Sequence, residues 1–244
     1  MRNSLRLYHN AKCYNWRMTN ICAILWDMDG VLADTMPLHY ETWKILLDAQ
    51  GIPFDQTRFS TMIGRNNASS LELLLGHPPS SELLQLVDKV KEETFRHMIP
   101  GRVRLLPGVL SWLDAIRARG LPQAVASSAP PENIDAVMEA LGITDYCAHL
   151  VSGHFMQGKP DPAVFLEAAR RIGYPPESCL VIEDAPSGVR AARRAGMACV
   201  AVTTTYEADA LGEAQVILPT PRLMLSLLYL KHAFNLSDEA LVER

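Results

Sequence analysis

The chain has 244 residues, 48% hydrophobic and 20% charged, which is enough to bury a substantial core as one large domain or two small ones. A net charge of −4 leaves no global basic field, which argues against nucleic acid as the main partner. No run reaches the roughly 18 apolar residues that a membrane span needs, so no membrane role is expected.

The first 19 residues carry Arg2, Arg6, Lys12 and Arg17, and no acidic residue precedes Asp27. Without an apolar stretch they do not read as a secretory signal. They read as a disordered extension, or as the product of an upstream start, with Met18 placed where a compact domain would begin. Cysteines stand at 13, 22, 147, 179 and 199. Their number is odd, they form no Cys-x-x-Cys pair, and three lie in or beside apolar runs. Buried free thiols of this kind suit a reducing, cytoplasmic compartment.

The run Ile21–Trp26 predicts a buried strand, and Asp27-Met28-Asp29-Gly30 follows it directly. Alone, such a motif is an ordinary strand-to-loop turn. Its two carboxylates also suit a nucleophile beside a proton donor, or a Mg²⁺ ligand set.

Residues 36–104 then read almost wholly as helix, over Leu38–Gln50, Gln56–Ile63, Ser69–Gly76 and Ser80–Ile99. A crossover within a sheet needs far fewer residues. This segment is therefore expected to be an inserted helical cap, closing over the acidic pair and excluding water. The core is expected to comprise residues 20–35 and 105–244.

From residue 105 onward, short apolar strands alternate with helices. The predicted strands are Ala124–Ala126, Leu150–Val151, Leu180–Ile182, Val200–Val202 and Val216–Leu218. Prolines 130–131, 162 and 186 open the intervening helices, and Gly142, Gly173 and Gly196 close them. The fold class that follows is α/β, a doubly wound parallel sheet with an inserted helical cap. Ligands in such folds sit outside the carboxyl ends of the strands.

Three more polar stations fall at those ends in the predicted layout. Ser127-Ser128 offers hydroxyl and N–H donors to phosphate oxygens, and equally a plain turn or helix cap. Lys159, in Gly158-Lys-Pro-Asp-Pro162, sits before a proline-started helix, where an ammonium is unfavourable unless an anion lies between it and the helix. Glu183-Asp184 ends a buried strand, and two adjacent buried acids require a cation or donors. Mg²⁺, with its taste for hard oxygens, is the natural partner.

The order acidic pair, Ser, Lys-Pro, Glu-Asp resembles the haloacid dehalogenase superfamily, over about Ile21 to Pro219. The cap position, together with Asp34-Thr35, His39, Trp43 and Glu183-Asp-Ala-Pro-Ser-Gly188, resembles its β-phosphoglucomutase-like subgroup. That resemblance implies Asp27 as the nucleophile forming an aspartyl phosphate, and Asp29 as the acid and base, neutral beside an ionised Asp27. It implies Mg²⁺ held by Asp27, the Asp29 carbonyl and Asp184, with Glu183 behind them. Ser127, Ser128 and Lys159 would take the phosphoryl oxygens.

Trp26 stands where the superfamily usually has Phe, a packing change. The cap loop Ile63-Gly64-Arg65-Asn66-Asn67 carries one cation, Arg65, with Ile63 and Asn67 at the other positions where mutases carry cations. A mutase must hold a bisphosphate at both ends, so this loop favours a phosphatase of a small phosphorylated metabolite, a sugar or polyol phosphate. His39, Arg65 and Asn67 are its expected substrate residues, and the molecule is expected to be a monomer or small homo-oligomer. The alternative is a phosphosugar isomerase of the β-phosphoglucomutase kind. A phospho-signalling receiver would also cluster Asp and Lys on a parallel sheet, but it lacks a helical insert after the first strand.

Overall fold

The computed structural model describes residues 21–218. The expectations for residues 1–19 lie outside the described residues, as does the packing of Leu223, Leu227, Leu230 and Phe234 on the core or on another subunit, which the apolar segment after Pro221 suggests.

Six strands form one parallel sheet: β1 Ala23–Trp26, β2 Gln123–Ser127, β3 His149–Ser152, β4 Cys179–Glu183, β5 Ala198–Val202 and β6 Val216–Leu218. Their order is β3-β2-β1-β4-β5-β6. The chain therefore winds outward in both directions from β1, and the crevice at this switch point lies at the carboxyl end of β1, where Asp27 follows. The doubly wound α/β class expected from the sequence is what the chain forms.

Strand side chains alternate between two apolar layers. Ile24, Trp26, Val125, Leu180 and Ile182 pack with α6 (Val109–Ala118) and α7 (Pro131–Ala140). Leu25, Ala124, Ala126, Val181 and Cys199 pack with α8 (Ala163–Ile172) and α9 (Pro186–Arg194). Trp26 keeps its indole N–H satisfied in this dry layer by donating to Gln123 Oε1 at 2.9 Å, and it tilts against Trp112 at 5.8 Å.

Between β1 and β2 the chain inserts α1 Met36–Ala49, α2 Gln56–Met62, α3 Asn67–Leu75, α4 Ser81–Leu86 and α5 Glu92–Met98. These helices have a core of their own, built on Trp43, Leu47, Phe54, Phe59, Leu71 and Val87. The single helix expected over Ser80–Ile99 is interrupted. A π-helical turn at Val87–Lys91 joins α4 to α5, and this wider turn re-aims the residues after it.

The insert lies closed on the sheet. Ser128 donates its hydroxyl to the Gly64 carbonyl at 3.1 Å, and Asn66 Nδ2 donates to the Met156 carbonyl at 3.0 Å. Tyr206 donates its hydroxyl to the Ser60 carbonyl, and His154 lies 3.4 Å from Asp88. Among the described residues, no helix is long and apolar enough to cross a membrane.

Candidate active site

The floor of the site is a set of buried charges at the ends of β1 and β4. Asp27 receives a hydrogen bond from Lys159 Nζ at 2.6 Å, and the same ammonium donates to Glu183 Oε1 at 2.8 Å. Lys159 is only 1% exposed and sits in the loop after β3, rather than at a strand end as the sequence layout placed it. Its unfavourable place before a helix start is answered by these two carboxylates, which outweigh the effect of its burial and raise its pKa. The second Glu183 oxygen accepts from the backbone N–H groups of Asp184 and Ala185, both at 2.7 Å. Both Glu183 oxygens are thus engaged by donors.

Two glycines make room for this floor. A Cβ on Gly30, whose φ is +80°, would fall 2.0 Å from Asp184 Oδ2, and one on Gly188 would fall 1.6 Å from Glu183 Oε1. Both close approaches require the absence of a side chain.

Asp27, Glu183 and Asp184 each offer an oxygen within 4.8 Å of the others. Three buried carboxylates against one ammonium leave two negative charges uncompensated, which matches a divalent cation. Asp184 Oδ2 is buried without a hydrogen bond; Thr205 eases its charge, but the Thr205 hydroxyl makes no bond of acceptable geometry. Such an orphaned carboxylate oxygen is a ready metal ligand, whereas both Glu183 oxygens already accept hydrogen bonds. Burial, reinforced by Glu183 and Asp27, pushes the Asp184 pKa well up.

Asp29 stands apart from this cluster. Its Oδ1 accepts from the Thr35 hydroxyl at 2.6 Å and lies 3.1 Å from His39 Nε2. His39 is itself stacked on Phe95 at 4.2 Å, so its ring orients Asp29. Burial alone would raise the Asp29 pKa, but His39 and Thr35 outweigh it and hold the carboxyl below its usual range. Asp27 shows the opposite. Burial drives it up to about 7, Glu183 and Asp29 add to the rise, and Lys159 only partly opposes it. Donors thus crowd around Asp29, whereas Asp27 is buried beside Glu183 with Lys159 to offset it.

Above the floor is a pocket lined by Asp27, Asp29, His39, Arg65, Asn67 and Ser127, among others. The Ser127 hydroxyl oxygen accepts from the Ala129 N–H at 3.1 Å, which leaves its own proton free to donate. Ser128 also lines the pocket, but its hydroxyl is committed to Gly64 in the insert. The half-buried Arg65 side chain makes no hydrogen bond or ion pair among the described residues.

The sequence did not single out Lys91 and Glu92, which line the same pocket. Lys91 Nζ donates to Glu92 Oε1 at 2.8 Å and lies 5.1 Å from the Trp43 ring centre. Burial would raise the Glu92 pKa, but Lys91, with smaller help from His39 and Asn67, holds it below the usual range. The run Asp88-Lys-Val-Lys-Glu-Glu93 has the look of a solvated helix face. Only the π-turn before α5 could have flagged it.

A family model for haloacid dehalogenase-like hydrolases matches residues 21–196. The chain belongs to the haloacid dehalogenase-like hydrolases. This hydrolase is 29% identical over 195 residues to a validoxylamine A 7′-phosphate phosphatase from Streptomyces hygroscopicus subsp. limoneus, covering 80% of the chain and 91% of the relative. It is 30% identical over 217 residues to a β-phosphoglucomutase from Bacillus subtilis, covering 85% and 93%. A crystal structure of β-phosphoglucomutase from Clostridium difficile superposes with a TM-score of 0.79 at 27% identity, covering 88% of this chain and 97% of that one.

Proposed function

We propose that this hydrolase is a Mg²⁺-dependent phosphatase of small phosphorylated sugars or polyols, working through an aspartyl phosphate on Asp27. The observation that carries the reading is the division of labour between the two aspartates. Asp27 sits on Lys159 at the switch point of the sheet, while Asp29 is held to one side by Thr35 and His39.

Asp27 attacks the phosphorus while the departing alkoxide takes a proton from Asp29. Water then attacks the acyl phosphate, and Asp29 accepts its proton. Asp29 must carry a proton for the first half. The negative charge of an incoming phosphoryl group raises its proton affinity, opposing the pull of His39. Lys159 and the free Ser127 proton face the oxygens of the transferring group, together with the Ser128 N–H. Asp27, Asp184 and the Asp29 carbonyl would hold Mg²⁺, which would supply charge neutralisation for the phosphoryl oxygens.

Mg²⁺ binding has a readout independent of turnover. At 100 times its dissociation constant, linkage is worth about 2.7 kcal/mol, or a rise of about 5–10 °C in melting temperature for a chain of this size. Asp184→Asn should abolish that rise; an undiminished rise in the variant would remove Asp184 from the metal site.

Relatives of similar identity carry phosphatase and mutase names. The pocket favours the phosphatase, because Arg65 is an unpaired cation whereas Lys91 is already tied to Glu92. The deciding experiment is phosphorus NMR of a sugar-phosphate panel, β-glucose 1-phosphate included, with the protein and Mg²⁺. Growth of inorganic phosphate is expected. Conversion of β-glucose 1-phosphate to glucose 6-phosphate without that growth would establish the mutase instead.

A further inference from the structure

On the side of the pocket formed by the helical insert lies a buried polar knot that the proposed chemistry does not use. Glu92, 1% exposed, is its centre. Its Oε1 accepts from Lys91 Nζ at 2.8 Å and from Asn67 Nδ2 at 2.7 Å, and its Oε2 accepts from Asn133 Nδ2 at 2.6 Å. Asn133 is fixed in turn by Arg96, which donates to its Oδ1 at 2.8 Å.

Asn67 Nδ2 also donates to Asp88 Oδ1 at 2.8 Å, so both of its amide hydrogens are spent on carboxylates. The flipped amide would set its oxygen against two carboxylates, so this orientation is the only satisfied one. What Asn67 has left for a ligand is an acceptor, Oδ1. Lys91 keeps donors, but its charge is cancelled at hydrogen-bonding distance by a carboxylate in the same dry environment.

We propose that Glu92 sets which group the substrate's far end may carry: it neutralises Lys91 and turns Asn67 to offer an acceptor, so the distal pocket takes a hydroxyl and disfavours a second phosphate. The inference rests on the phosphatase reading above. A hydroxyl donates to Asn67 Oδ1 and accepts from Lys91. A phosphate dianion has no proton for that acceptor and must settle beside an ionised Glu92, with Arg65 as the one uncompensated cation among the described pocket residues against its two charges. The same carboxylate thus secures one ligand class and repels the other.

The test measures phosphate release by the full chain with Mg²⁺ from fructose 1-phosphate, fructose 1,6-bisphosphate and p-nitrophenyl phosphate. The wild-type protein should favour the monophosphate over the bisphosphate in kcat/KM by about tenfold or more. Glu92→Gln keeps an acceptor for Lys91 while removing the charge, and it should shrink that preference by about tenfold, mainly through a lower KM for the bisphosphate. Equal use of the two fructose esters by the wild-type protein overturns the assignment, as does an unchanged ratio in a folded Glu92→Gln variant. Should the variant not fold, the wild-type ratio alone decides. No release from any of the three esters, the aryl one included, overturns the phosphatase reading and this assignment with it.

Discussion

Asp27→Asn should lower turnover by about four orders of magnitude or more, without lowering the melting temperature of the metal-free protein. The loss follows from removing the attacking oxygen: an amide does not form the acyl phosphate, and no other carboxylate replaces it, since both Glu183 oxygens are engaged by donors and Asp29 is held by Thr35 and His39. Stability follows from the charges. Asp27 has its pKa raised to about 7, mainly by burial, so its ionised form is the costly one in the folded state. A carboxyl with a raised folded-state pKa contributes stability below its unfolded value, and that stability is lost as pH rises through about 7. Asparagine carries no charge to bury and still offers Lys159 an acceptor, so the variant should match or exceed the wild-type melting temperature at pH 8. Steady-state assays and thermal melts check the two halves separately. Turnover near the wild-type level would sink the covalent mechanism, and a large drop in melting temperature would mean that the Asp27–Lys159 bond holds the fold together.

Much of the architecture was legible because local and global signals agree. Short apolar runs bounded by proline-started and glycine-stopped helices leave few alternatives to a parallel sheet, and the strands fall where those runs lie. The polar residues that cluster around the floor were legible for a related reason, since an apolar strand ending abruptly in Asp27 or in Glu183-Asp184 has no comfortable explanation in packing. Two features were not legible, and one was legible only in part. Lys91 and Glu92 are hidden in a run of charges that looks solvated, and only a π-helical turn, which propensities do not encode, carries them inward. Lys159 was singled out from the sequence, but its place in a loop beyond β3, from which its long side chain reaches Asp27, was not. Nor does the sequence say which carboxylate His39 faces. Helical spacing puts a histidine on a face of α1, but the stacking on Phe95 from α5 is what aims it.

The place of Asp29, held beside His39 and Thr35, gives Asp29→Asn a distinctive kinetic signature. Asparagine can keep the hydrogen bond from Thr35, so the fold and the position of Asp27 should survive, while the proton shuttle is lost. General acid–base catalysis is worth about 10²–10⁴-fold, and a sugar phosphate should lose that much in kcat, because its alkoxide departs poorly without a proton. A p-nitrophenyl ester behaves otherwise: nitrophenolate leaves without protonation, so transfer to Asp27 should remain fast. The second half still needs a base to activate water, and without Asp29 it becomes slow for every substrate. Rapid mixing should therefore show a burst of nitrophenolate of about one equivalent per enzyme, followed by a slow steady state, with the phosphoryl group trapped on Asp27. His39 stays beside the substituted position, 3.1 Å from the atom it now contacts. Were His39 the true acid and base, the variant would keep steady turnover on both substrates and show no burst. Absence of the burst together with near-normal turnover would shift the shuttle from Asp29 to His39, and a slow first phase on the aryl ester would mean that Asp29 acts mainly by positioning the phosphoryl group.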